Sequence, residues 1–179
     1  MNRSPSRISR TVLALLILST CIGCDQATKR IATEWLADAP PRSYLSNTVR
    51  LEYALNPGGF LSLGSQLPAN IRYWLFVVAN AVLLLTVARV LTKSWNMQLA
   101  MFVALAYFLA GGLGNLVDRV TQDGLVTDFL NVGIGPLRTG IFNVADIAVT
   151  FGGIAFAILY SRQNDSTKSG SLPVTETQS

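Results

Sequence analysis

Two segments decide the fold: AGGLGNLVDRVTQDGLVTDFL (residues 110–130) and, after a short Gly/Pro-rich link, IFNVADIAVT (residues 141–150). Together they hold four of the ten acidic residues of the chain, Asp118, Asp123, Asp128 and Asp146, and their outer ends are apolar. Asp118 closes an uncharged run of 24 residues, Ser94 to Val117. Asp146 is the only charge among the 23 residues between Arg138 and Arg162. Carboxylates are costly in segments of hydrocarbon length, and their presence there marks a functional site by default.

Working outward, the 179-residue chain is half apolar and only 13% charged, with a mean hydropathy of +0.41. That is too apolar for an ordinary soluble domain, and the long uncharged runs make it a polytopic membrane protein. The net charge of +4 does not indicate nucleic acid, because the basic residues are scattered and flank apolar runs. The absence of histidine removes imidazole acid–base chemistry and most zinc sites. Cys21 and Cys24 form a C-x-x-C within the first apolar run. With neither a βαβ context nor further ligands, they read as small residues packing a helix.

Met1–Arg10 is polar and basic, and Thr11–Cys24 is uncharged for 14 residues, roughly 21 Å as a helix. That length suits a signal-peptide core, and its end resembles a poor lipoprotein cleavage site. Three further hydrophobic segments make it a retained span that continues through Asp25-Gln26-Ala27-Thr28-Lys29. Asp25 and Lys29 are then one turn apart and can neutralise each other, unless they are merely an interfacial helix end. Residues 31–69 form the one sizeable extramembrane section. Val49–Leu55 alternates as a strand, Asn56-Pro57-Gly58-Gly59 is a turn, and Phe60–Leu63 is a candidate return strand. Read alone, Asn56 is a turn residue.

The predicted architecture is an all-α membrane protein of four transmembrane helices, at about 11–30, 70–91, 97–117 and 142–160, with a small extracytoplasmic β-sheet section lying against the membrane. Residues 1–10 are a cytoplasmic extension, and residues 162–179 a disordered cytoplasmic tail. The short-loop basic residues put both termini in the cytoplasm. Asp25, Asn56, Asp118, Asp128 and Asp146 then share one depth at the outer side.

Asn115, Asp118 and Arg119 share a helix face, as do Asn143 and Asp146, and Arg119 is expected to pair with Asp118 or to hold substrate. Taken singly, each Asp is an interfacial helix-end residue paired with Arg or capping an amide. In numbers, at one depth, they point to paired-carboxylate chemistry. Two adjacent carboxyls share a proton, so one can deprotonate water while the other protonates a leaving amine. That is peptide hydrolysis without metal or covalent intermediate.

At these residues the chain resembles the lipoprotein signal peptidase family, the type II signal peptidases of bacterial plasma membranes. The carrying blocks are Asp25–Lys29, Asn56-x-Gly58, Gly114–Arg119, Val126–Phe129 and Phe142–Asp146, within about residues 12 to 160. The resemblance implies a multi-pass aspartic endopeptidase of the inner membrane with its site near the outer face. Its substrates are prolipoproteins carrying diacylglycerol on cysteine, cut before that cysteine, and no cofactor or metal is implied. It places the catalytic pair on Asp128 and Asp146. Asn56, Gly58, Asn115, Asp118, Arg119, Asn143 and Ala145 fall in the pocket-forming blocks, with Asp25 and Lys29 as a supporting pair. The expected partners are these substrates and membrane lipids, with no nucleic acid, and the enzyme is expected to be a monomer. One departure stands out: Phe60 and Leu61 follow Asn56-x-Gly58 where the family has small residues. A proton or cation transporter would need midplane acids and internal repeats, which are missing. A mature lipoprotein processed before Cys24 would lack the three later spans.

Overall fold

The structure, a computed structural model, describes residues 6–58 and 66–169. Among these residues four helices are long and apolar enough to cross a membrane: α1 (Arg7–Leu36), α2 (Ala69–Lys93), α3 (Leu99–Thr121) and α4 (Val144–Ser169). The chain is therefore the four-helix membrane protein with a small sheet that its sequence predicts. α3 is the hub and packs against the other three helices. It buries 61% of its apolar window, where each of the others buries 17%. The faces that α1, α2 and α4 leave exposed are apolar, as lipid contact requires.

Helix ends depart from the sequence reading for local reasons. The side chain of Ser6 accepts from the Ser9 amide and starts α1. α1 then runs unbroken for 30 residues, because Asp25 and Lys29 neutralise each other within it. It stops before Ala39-Pro40-Pro41. α4 continues to Ser169 rather than giving way to a polar tail at 162. Its last polar turns contain no Gly or Pro before Gly170, so nothing local ends the helix.

Small residues set the close approach of α3 to its neighbours. A Cβ on Gly111 would run into the carbonyl of Ala145, and one on Gly114 would lie 2.7 Å from Asp25 Oδ2. The apolar core sits beside this seam, where Leu84, Val87 and Leu91 of α2 meet Phe102, Leu105 and Leu109 of α3.

The sheet is antiparallel throughout, in the order β1 (Arg42–Tyr44), β2 (Val49–Asn56), β3 (Val126–Ile134) and β4 (Leu137–Arg138). β2 is the strand expected at 49–55. Its partners are β1 and β3, and β3 comes from the α3–α4 link that the sequence reading left without strands. Alternation is masked in β3 because Val126–Phe129 is buried on both faces. The return strand expected at Phe60–Leu63 lies outside the described residues, as does the departure at Phe60 and Leu61. One face of the sheet covers Ala32 and Leu36 of α1 through Phe129, Leu51 and Tyr53. A register shift between Leu51 and Ala54 lets β2 continue to pair at Ala54↔Asp128 and Asn56↔Val126. This brings Asn56 and Asp128 to the bundle end where α1 and α3 finish and α4 begins.

Gly111→Ala is expected to lower stability by about 1–3 kcal/mol, measured by thermal unfolding in detergent. Gly23→Ala meets nothing within 4 Å and should be neutral or slightly stabilising. Equal melting of the two variants would contradict the close α3–α4 packing.

Candidate active site

The site is built on a buried ammonium. Lys29 lies 2.8 Å from Asp25 Oδ2 and 2.9 Å from Asp118 Oδ2, and it donates to Asn115 Oδ1 at 2.9 Å. Its three N–H donors thus meet three acceptors, and all four side chains are buried. The two carboxylates also organise backbone. Asp25 Oδ1 accepts from the amide of Ala145 in the first turn of α4 at 2.9 Å. Asp118 Oδ2 accepts from the Thr127 amide at the start of β3 at 3.1 Å. Gln26, absent from the expected site residues, donates to Asp118 Oδ1 at 2.8 Å. Its position beside Asp25 in the first block was the only signal for it.

Because Asn115 turns its oxygen to Lys29, its amide nitrogen faces the other way and donates to Asp146 Oδ1 at 2.8 Å. Asn143 and Asp146 cap the start of α4 reciprocally. Asn143 Oδ1 accepts from the Asp146 amide at 2.9 Å, and Asp146 Oδ2 accepts from the Asn143 amide at 3.2 Å. The Asn143 side-chain nitrogen then reaches Asp128 Oδ1 at 2.7 Å and Asn115 Oδ1 at 3.1 Å. Asn56 donates to Asp128 Oδ2 at 3.0 Å, while its own oxygen accepts from the Gly58 amide at 2.9 Å. Turn residue and carboxylate partner are therefore one residue. Each oxygen of Asp128 and of Asp146 accepts an N–H, and the two side chains are linked through Asn143 and Asn115.

Arg119 does not take the first of its two expected roles, pairing with Asp118. Its Nη1 donates to the Asn115 carbonyl at 3.2 Å and its Nη2 to the Gly58 carbonyl at 2.9 Å. Asp118, already committed to Lys29 and Gln26, is not its ion-pair partner. The guanidinium lies 5.8 Å from the ring centroid of Phe76 on α2, and its Nε is buried without a hydrogen-bond partner among the described residues. Ala145, fully buried, serves through its backbone and its packing.

Asn56, Asn115, Arg119, Asp128 and Asp146 line a cavity of about 740 Å³ between α2, α3 and α4. Apolar side chains such as Phe76, Leu83 and Phe151 form most of the rest of its wall. Asp25, Lys29 and Asp118 lie behind that wall. Among the described residues no group of three His, Cys, Asp or Glu is placed to hold a metal. Burial, reinforced by the charge of Asp146, pushes the Asp128 carboxyl up to about 6, against the opposing pull of Asn56, Asn143 and Lys29. Cys21 and Cys24 are free thiols on a separate apolar groove between α1 and α4.

A membrane-spanning bundle with a carboxylate pair on the wall of an apolar cavity defines a class of integral membrane enzymes. The family model described as Signal peptidase (SPase) II matches residues 17–162, and the chain belongs to that family. The lipoprotein signal peptidase of Hydrogenovibrio crunogenus is 33% identical over 162 residues, covering 88% of each chain. That of Desulforapulum autotrophicum is 30% identical over 149 residues, 83% of this chain and 91% of the relative. A bacterial membrane enzyme solved by the in meso method at 2.3 Å superposes with a TM-score of 0.74 at 25% identity, covering 91% of this chain and 94% of the other.

Lys29→Met would leave two buried carboxylates without their cation. The expected cost is about 3–5 kcal/mol of stability, read by denaturation in detergent. Pairing it with Asp25→Asn should cost less than the sum of the two single changes. Strict additivity would contradict the shared node.

Proposed function

We propose that this chain is an aspartic endopeptidase that removes the signal peptide from diacylglyceryl-modified prolipoproteins, cutting immediately before the lipid-bearing cysteine. One observation carries the reading: Asp128 from β3 and Asp146 from α4 are bridged by Asn143 on the wall of a single, largely apolar cavity. The family match supports the substrate class, since the relatives are lipoprotein signal peptidases.

In this mechanism Asp128 holds the shared proton and Asp146 is the carboxylate. The raised affinity of Asp128 for its proton favours that assignment. Asp146 takes a proton from water, and the water oxygen attacks the carbonyl carbon preceding the modified cysteine. Asp128 donates its proton to the carbonyl oxygen as the tetrahedral intermediate forms. Collapse of the intermediate breaks the C–N bond, and the proton held on Asp146 passes to the leaving nitrogen. Return of the carbonyl-oxygen proton to Asp128 restores the starting state. Asn115, Asn143 and Asn56 hold the carboxylate planes fixed throughout. The Nε–H of Arg119, without a partner among the described residues, donates to a backbone carbonyl of the substrate. Acyl chains and the signal helix enter laterally along the apolar walls between α2 and α4. The enzyme sits in the bacterial plasma membrane with both termini cytoplasmic, follows the positive-inside bias, and acts near the outer face as a monomer.

Asp128→Asn and Asp146→Asn should each lower turnover of a purified diacylglyceryl prolipoprotein by about 10²–10⁴-fold or more, with melting close to wild type. EDTA should leave the rate unchanged. A rate that survives either substitution, or that is lost with chelator, contradicts the mechanism.

The pH dependence has a defined sign. A general acid whose carboxyl titrates at about 6 is active while protonated, so kcat/KM should decline as pH rises through that value. A kcat/KM that rises or stays level between about pH 5 and pH 8 would assign the acid elsewhere.

A further inference from the structure

At the end of the bundle opposite the aspartates, Arg10 of α1 is only 3% exposed. Its Nε and Nη1 are buried and have no hydrogen-bond partner among the described residues. Its guanidinium carbon lies 5.4 Å from the ring centroid of Phe102, in the second turn of α3. A cation–π contact stabilises the charge only in part and leaves the N–H donors unsatisfied. No ion pair to Arg10 is found among the described residues. Both α1 and α3 start at this end, neither has an acid in its first turn, and Gln98, which precedes α3, makes no side-chain cap. The first free amides of α3 therefore lie at the same end of the bundle as this buried cation. Arg7, one turn earlier, lies over Trp95 at 5.9 Å and adds a second positive charge at the same end. A buried guanidinium without a counter-ion is strongly unfavourable. The two unpaired donors of Arg10 call for an acceptor-rich partner, and an anion supplies one.

We propose that Arg10 and the start of α3 form a phosphate-binding site between α1 and α3, filled in the membrane by the headgroup of an anionic phospholipid. A phosphodiester offers several acceptor oxygens to the two unpaired Arg10 donors and the first amides of α3. Arg7, exposed at the rim, attracts it. Helices that end at the membrane surface place the site at headgroup depth, where basic recesses between spans hold such lipids. The site lies at the other end of α1 and α3 from Asp128 and Asp146, so it concerns assembly of the bundle rather than bond cleavage.

The test uses the full chain, purified in a neutral detergent, and follows thermal unfolding with phosphatidylglycerol, phosphatidylcholine or inorganic phosphate added. Phosphatidylglycerol should raise Tm by about 5 °C and phosphatidylcholine should not. Arg10→Gln and Arg10→Leu should each abolish the rise. Arg10→Leu, which removes the unpaired charge, should melt no lower than wild type in neutral detergent, so loss of response is not loss of fold. A rise with phosphatidylglycerol alone assigns the lipid as occupant, and an equal rise with inorganic phosphate assigns the same site to any phosphate anion. No rise with either, or a rise that persists undiminished in both Arg10 variants, overturns the proposal. Cleavage of a prolipoprotein in detergent should be the same for wild type and Arg10→Gln.

Discussion

One ammonium group imposes order on the end of the bundle that holds the aspartates. Lys29 reaches into the buried interior and meets two carboxylates and an amide oxygen. A buried lysine is tolerated only when its three donors are matched, and two buried carboxylates are tolerated only beside a cation. Neither half is stable without the other. Their union ties the last third of α1 to α3 and, through the backbone contacts of Asp25 and Asp118, to the first residues of α4 and β3. α1 and the later run of α3, β3 and α4 are therefore held at one node.

A second consequence is orientational. An asparagine amide can be turned end for end at little cost when its surroundings are symmetrical. Those of Asn115 are not, because Lys29 demands its oxygen. The nitrogen is thereby committed to Asp146, and Asn143 is fixed by its place at the start of α4. Catalytic groups under the proposed mechanism are thus held by amides whose directions are dictated from behind the cavity wall. The same carboxylates do structural work, since Asp146 caps α4 and Asp118 and Asp25 anchor backbone. A structural and a functional role for each acid are compatible.

Much of this was legible in the sequence, for identifiable reasons. Carboxylates within uncharged runs are rare enough to announce themselves, and the i, i+4 spacing of Asp25 and Lys29 and the i, i+3 spacing of Asn143 and Asp146 set local geometry directly. β2 was visible through the alternation at Val49–Leu55. β3 was not, because a strand buried on both faces carries no alternation, and its partner is some 75 residues earlier. Of the two roles expected of Arg119, pairing with Asp118 is not found, because Asp118 is claimed by a lysine some 90 residues away. Gln26 escaped notice because a neutral amide among charged neighbours carries no compositional signal. The burial of Arg10 was equally hidden, since a basic residue at the start of an apolar run looks like any membrane-flanking charge.

The central claim is that Asp128 and Asp146 share one proton below about pH 6, held on Asp128. Infrared difference spectroscopy of the protonated carboxyl stretch, taken across pH in detergent, tests it most directly. One such band is predicted to disappear as pH rises through about 6, and to be absent from Asp128→Asn. A band that survives in Asp128→Asn, or a wild-type protein with no protonated carboxyl at pH 5, would contradict the shared-proton pair.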